Sequence, residues 1–140
     1  AYERLHEEHY VFVQAVGRGK PARLMGAADA RHHLLIDTLP DLPLFRYLLE
    51  ARPAGEDWAF ERMQTLGTIG AVRARVLEGA GVAVLPHYFV RADLASGKLV
   101  RLLPRTRLRP DWFRLVWRRG HPQEADLRVL ASELRALPLR

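Results

Sequence analysis

Cysteine is absent from the 140 residues, which removes disulfide scaffolds, thiolate metal sites and cysteine nucleophiles and suits a reducing compartment. Serine is almost as scarce. Ser96 and Ser132 are the only two, neither sits in a G-x-S-x-G turn, and an acyl-transfer enzyme is therefore not expected. Lysine is reduced to Lys20 and Lys98 among 22 basic residues, so the basic character reads as a general preference for arginine rather than as selection for phosphate contacts. No apolar run reaches the roughly 18 residues that a membrane-spanning helix requires, and no signal peptide is read at the start. Nine prolines and ten glycines are spread through the chain, which excludes collagen and gives no disordered tract.

What is present describes one globular domain. With 49% hydrophobic and 27% charged residues, a chain of this length can bury a core without staples. The net charge of +6 is localised: segments 1–98 and 121–140 are each balanced, and the excess lies between Leu99 and Gly120. There Arg101, Arg105, Arg107, Arg109, Arg114, Arg118 and Arg119 face Asp111 alone, with Trp112, Phe113 and Trp117 interleaved. Arginine beside aromatics can signal nucleic acid. The plainer reading is a strand, an exposed loop and a second strand whose outward positions are arginine.

Hydrophobic periodicity predicts alternating strands and helices. His9 to Val16 (HYVFVQAV) has no polar face through Val11, Phe12 and Val13, and reads as a buried strand ended by Gly17, Gly19 and Pro21. A loop or short helix runs from Ala27 to Arg31, followed by a strand from His33 to Asp37. Asp41 is the expected N-cap of a helix with Leu44, Phe45, Leu48 and Leu49 on one stripe, ending at Pro53. Trp58 to Gln64 reads as a third strand. Thr68 is expected to cap a helix with Ile69, Val72 and Val76 inward and Gly79 as its stop. Val82 to Leu85 is too short for a helix and reads as a buried strand, and a single turn of helix is expected between His87 and Ala95. Strands follow at Leu99 to Leu103 and Trp112 to Trp117. Pro122 then opens a helix with Leu127, Leu130, Leu134 and Leu137 on one face and Glu124 placed to pair with Arg128.

Such alternation predicts an α/β fold with a mostly parallel sheet covered by helices on both faces. Ligands then lie outside the carboxyl ends of the strands, where helix N-termini present unsatisfied N–H groups. The positions in that place are Thr38, Thr65 to Thr68, and Pro86 with His87. Thr68 either satisfies its own helix start or shares those N–H groups with an anion, and His87 is either a cleft residue or a half-exposed helix opener. The other constellations are weaker. His6 and His9 are three apart, not the four of a zinc-binding helix face, and adjacent His32 and His33 point to opposite sides of a strand, so no metal is expected. The carboxylate pairs Glu7–Glu8 and Glu56–Asp57 read as solvated surface. Gly17–Gly19 and Gly79–Gly81 are not completed into a dinucleotide motif, so no cofactor is expected.

Two stretches carry a resemblance: Glu78-Gly-Ala-Gly-Val-Ala-Val-Leu-Pro86, and Asp93-Leu-Ala-Ser-Gly-Lys-Leu-Val-Arg-Leu-Leu-Pro104. Together they resemble the effector-binding domain of LysR-type transcriptional regulators, with its glycine-flanked strand ending in Leu-Pro and the Gly-x-Leu-Val strand that follows. Glu8 to Val13, His33 to Asp37 and Phe113 to Trp117 with the last helix fit the same pattern, so nearly the whole chain is covered. The family's helix-turn-helix and the opening elements of its first lobe have no counterpart in this sequence. The resemblance implies a type 2 periplasmic-binding-protein-like fold: residues 1–20 as a crossing strand and hinge from the first lobe, 21–111 as the second lobe, and 112–140 as return strand and closing helix of the first.

It further implies a non-enzymatic, cytoplasmic bacterial regulator whose interlobe cleft binds a small, anionic effector. The residues expected there are Thr38, Thr65, Thr68 and His87, with Gln14 on the crossing strand. DNA is contacted only through the helix-turn-helix that the sequence lacks, and no membrane is involved. The strands His9 to Val16 and Phe113 to Trp117 are expected to lie near each other, and the chain to form a homo-oligomer through those edges and the last helix. The rival readings are a fragment of an extracytoplasmic solute-binding protein, a basic nucleic-acid-binding module using Arg101 to Arg119, and, more distantly, a small hydrolase.

Overall fold

The computed structural model describes residues 1–17 and 24–139; Gly19, Lys20 and Pro21, with the boundary expected at residue 20, lie outside them. The strand core is built from the residues with the least choice about where to go. Val11, Phe12 and Val13 in β2 (Tyr10–Ala15) are consecutive buried residues, and all five residues of β5 (Val82–Pro86) are buried. A strand buried at successive positions has both faces covered, so β2 and β5 sit inside the molecule. With β3 (Leu34–Asp37), β4 (Arg62–Thr65) and β6 (Leu99–Arg101) they form a five-stranded sheet in the order β4-β3-β5-β2-β6. β3 runs parallel to β4 and β5, whereas β2 is antiparallel to both β5 and β6. Four strands thus share one direction and β2 opposes them.

Helices close this sheet. α1 (Phe45–Glu50) buries Phe45 and Leu48, and Phe45 packs edge-on against Trp58 and Phe60 with ring centroids 5.7 and 5.2 Å apart. α2 (Ile69–Leu77) buries Val72 and Val76. α3 (His87–Ala95) follows β5 directly and runs nine residues rather than a single turn. Between α2 and β5 the chain must pass close to β3, because a Cβ on Gly81 would collide with the Leu34 carbonyl oxygen. Gly79 just before it adopts φ +81°, the left-handed conformation that glycine tolerates at a helix end.

A smaller unit stands beside this sheet. β1 (Tyr2–Glu8) and β7 (Asp111–Val116) form an antiparallel ribbon from Tyr2↔Val116 to Glu8↔Asp111, with an irregularity between Arg4 and Glu7. α4 (Glu124–Ala136) lies against it, with Ala131 buried, His6 Nε2 2.9 Å from the Leu134 carbonyl and Arg128 donating to both Glu3 at 2.8 Å and Glu124 at 2.9 Å. Only His9 separates β1 from β2.

Several expectations are corrected here. The segment that pairs with β7 is Tyr2–Glu8, not His9 to Val16, whose strand belongs to the five-stranded sheet; the change of sheet therefore occurs at His9. The third strand begins at Arg62, since Trp58 and Phe60 belong to the aromatic cluster instead. Asp41 does not cap α1; it pairs with Arg46 at 3.6 Å. Leu49, Leu130 and Leu137 are exposed rather than inward.

Candidate functional site

The carboxyl ends of β3, β4 and β5 lead into the starts of α1, α2 and α3, and each start treats its free N–H groups differently. At α1 the chain supplies its own anion. Asp37 is fully buried, and its carboxylate accepts from the backbone N–H groups of Thr38 at 2.6 Å, Leu44 at 3.3 Å and Phe45 at 2.9 Å. A carboxylate at a helix N-terminus is favoured by both hydrogen bonding and the helix dipole, so this position is already filled. At α3 the His87 N–H donates to the His9 carbonyl at 2.7 Å, which also removes a free donor.

α2 is the open one. Thr68 has extended backbone and its hydroxyl accepts from the Ala71 N–H at 3.2 Å, so the side chain occupies a single N–H of the first turn. The turn before it is held to β3: Leu66 N–H donates to the Asp37 carbonyl at 3.0 Å and Gly67 N–H to the Thr38 carbonyl at 2.9 Å. Gly67 adopts φ +76°, which the tight return from β4 to the helix requires. Thr65 stands opposite Asp37 in the register. The structure therefore brings Thr38, Thr65 and Thr68 to one edge, with Thr65 and Thr68 exposed and Thr38 half-buried.

His87 lies one strand over, at the end of β5. It lines a groove of about 660 Å3 together with His9, Tyr10, Arg101, Thr106 and Arg107, which none of the three threonines lines. Burial of the ring, followed by the nearby Arg101, Arg91 and His9 charges, holds its pKa below the ordinary histidine value, so it is neutral at pH 7. Gln14 is a correction. It pairs with Val82 and Val100, whereas Tyr10 pairs with Pro86. At about 3.3 Å per residue that is roughly 13 Å from the Pro86 end of β5. Because β2 runs against its neighbours, its carboxyl end meets the start of β5, not its finish.

Sequence reasoning missed the junction between the ribbon and the five-stranded sheet. Glu8 and Asp111 sit directly opposite each other, each held by a tyrosine: the Tyr10 hydroxyl donates to Glu8 and the Tyr47 hydroxyl to Asp111 at 2.9 Å. The two tyrosine rings stack with centroids 3.8 Å apart. Burial pushes the Glu8 pKa up, with the Tyr10 hydrogen bond opposing and the Asp111 charge adding to the rise. Asp111 moves the other way, held down first by the Trp112 N–H, then by Tyr47 and Arg114. Tyr10 and Tyr47 are far apart in the chain and no motif marks them; only the fold makes them partners.

The arginine-rich segment does not form one stripe. Arg101 and Arg107 line the groove beside His87, while Arg109 and Arg114 join Arg4 and Arg46 around a second hollow of about 620 Å3. Among the described residues no cluster of three or more His, Asp or Glu is placed to hold a metal ion, and no helix is long and apolar enough to cross a membrane.

Comparison with known proteins gives one consistent answer. The LysR substrate binding domain family matches residues 1–138. HTH-type transcriptional regulator PtxR of Pseudomonas aeruginosa is 44% identical over 62 residues, covering 36% of this chain and 20% of that protein. Among solved structures, the CrgA regulatory domain of Neisseria meningitidis, a LysR-type transcriptional regulator, superposes with a TM-score of 0.76 at 19% identity, over 97% of this chain and 67% of that one. Full-length HypT from Salmonella typhimurium, described as a hypochlorite-specific LysR-type transcriptional regulator, gives 0.70 at 22% identity, over 98% of this chain and 47% of that one. The chain thus spans about half the length of the full-length regulator and a fifth of PtxR in the matched part. All three proteins are described as transcriptional regulators.

Proposed function

Because the chain belongs to the LysR substrate-binding domain family, we propose that it is the effector-sensing part of a cytoplasmic transcription factor, one that takes a small anionic metabolite at the threonine edge and passes the signal to DNA-binding segments elsewhere in the regulator. The observation that carries this reading is the contrast between helix starts. α1 is closed by Asp37, whereas the first turn of α2 has one N–H taken by Thr68 and lies within reach of the Thr38 and Thr65 side chains through the Gly67–Thr38 bond. Hydroxyls and backbone N–H groups at a helix start suit a carboxylate or another small oxyanion. A bromide-bound regulatory domain of Salmonella typhimurium HypT is consistent with anion binding in this fold. His87 belongs to the neighbouring groove and is assigned to the wall of the cleft, not to the anion itself.

In this reading β1, β7 and α4 belong to the first lobe of the sensor and the five-stranded sheet is the second, with the cleft between them. Sensing is a population shift: the effector favours one arrangement of the lobes by its differential affinity. The test is a titration of acetate, succinate and bromide into the isotopically labelled chain. Saturable shifts at the Gly67, Thr68, Ile69 and Gly70 amides are expected, about tenfold weaker in Thr68→Val and largely restored in Thr68→Ser, since each charge-assisted hydrogen bond is worth about 1–3 kcal/mol. Saturable shifts confined to other regions, or equal affinity in Thr68→Val, would remove the assignment.

A further inference from the structure

We propose that Tyr10 and Tyr47 form an oxidative cross-linking site, at which a diffusible one-electron oxidant such as an organic peroxyl radical joins the two rings into dityrosine and ties β2 covalently to α1. The rings stack with centroids 3.8 Å apart and planes 13° from parallel. A radical formed on one ring therefore has its partner already in contact, with no diffusional step before coupling. The two hydroxyls also interact with each other, which sets the phenol ends side by side rather than head to tail. The ring carbons next to the hydroxyls, where a tyrosyl radical couples, then lie at the same end of the stack. Tyr10 borders the groove beside His87 and Tyr47 the hollow beside Arg46, so both rings face open space that a small oxidant can enter.

Burial raises the pKa of both hydroxyls, so each keeps its proton at pH 7 and must lose it together with the electron. Each has its own base: Tyr10 donates to Glu8 and Tyr47 to Asp111 at 2.9 Å. The bases are unequal. Asp111 also accepts from the Trp112 N–H at 2.7 Å and from Arg114 at 3.1 Å, whereas Glu8 is raised by burial and is the stronger acceptor. Tyr10 is thus oxidised first, with Glu8 taking its proton. Each ring gives one electron to a peroxyl radical and one proton to its carboxylate. The two tyrosyl radicals join through one new carbon–carbon bond, and the hydrogens on the joined carbons move to the oxygens and restore both hydroxyls. Two ring C–H bonds are lost, and the two protons leave with the two reduced peroxyl radicals as hydroperoxides. The sequence holds no cysteine to divert the oxidant. Tyr2 is exposed on the ribbon, and Tyr88 meets Phe89 and Phe113 at 6.3 and 5.8 Å, so the two remaining tyrosines serve as internal controls.

The experiment exposes the dilute chain to peroxyl radicals from a water-soluble azo initiator and follows dityrosine fluorescence, with mass mapping of the tryptic peptides. One intramolecular product is expected, joining the peptides that carry Tyr10 and Tyr47 with two hydrogens fewer than their sum, at a rate independent of protein concentration. Tyr10→Phe and Tyr47→Phe, which keep the stacked rings, should each abolish it. Glu8→Ala should slow it about tenfold or more, short of the roughly hundredfold that a lone base supplies because Asp111 still serves Tyr47. Added acetate should restore part of that loss, which it could not do for a defect of folding. Absence of dityrosine, comparable yields through Tyr2 or Tyr88, a product formed only between molecules, or a full rate in Glu8→Ala would overturn the proposal.

Discussion

At the scale of single residues, the positions that matter most are those where a neighbour leaves no alternative. Gly81 is one, since any side chain there meets the backbone of Leu34 rather than a flexible tip, and β5 would have to move away from β3 to make room. Gly81→Ala is expected to destabilise the chain by about 1–3 kcal/mol, read as a lower urea midpoint with an unchanged slope; an unchanged midpoint would show that the β3–β5 pairing is looser than the register implies. Asp37 is the other. As the last residue of an apolar strand it looks like ordinary strand punctuation, and nothing in His33 to Asp37 discloses that its carboxylate reaches Leu44 and Phe45 seven and eight residues later. Asp41 was the better candidate on local grounds and lost because a fully buried carboxylate needs those N–H groups more than an exposed one does.

At the scale of elements, those whose sequence answered to local rules were legible, and those made by pairing were not. Val82 to Leu85 could only be a buried strand, and Thr68 at an α2 start followed by Val72 and Val76 obeyed both capping and periodicity. By contrast β1 (YERLHEE) carries six charged or titratable side chains and has no apolar face of its own; it is a strand because β7 pairs with it, an instance of tertiary pairing overriding propensity. The threonine edge was legible because it follows from strand ends alone. Gln14 was misplaced because strand direction is not. Helix-to-helix links were equally hidden: Arg73 on α2 grips Asp93 on α3 with two bonds of 2.7 and 2.8 Å, and Asp93 is buried. The Arg73 hydrogen bonds hold the Asp93 pKa below its ordinary 3.8. A depressed carboxylate stabilises the fold above its unfolded pKa and loses that stabilisation as pH falls through the folded value. Arg73→Gln should therefore cost about 1–3 kcal/mol at pH 7, less than a fully buried pair because Arg73 is partly solvated. The gap from the parent should close as pH falls below 3.8. A gap that stays constant down to the acid transition would assign the loss to packing instead.

At the scale of the whole molecule, two sheets share one chain through His9, and the Tyr10–Tyr47 stack with its two carboxylates spans the joint. The larger sheet is closed on both faces, whereas the ribbon and α4 show Tyr2, Val116, Val129, Leu130 and Leu137 to solvent. Scattered exposed apolar side chains are ordinary, but five on one small ribbon-and-helix unit, beside ribbon edges with unpaired backbone groups, favour association with another surface. The chain alone is expected to self-associate in a concentration-dependent manner. Sedimentation equilibrium should give an average mass rising above 16.0 kDa, and Val116→Lys together with Leu130→Glu should return it to that value, because charge on an edge strand or an apolar helix face opposes pairing. The net charge of +6 works against association at low salt and is screened as salt is added, so the measured mass should increase with ionic strength. A mass that stays monomeric at high concentration and high salt would mean that α4 and the ribbon are satisfied within the single chain.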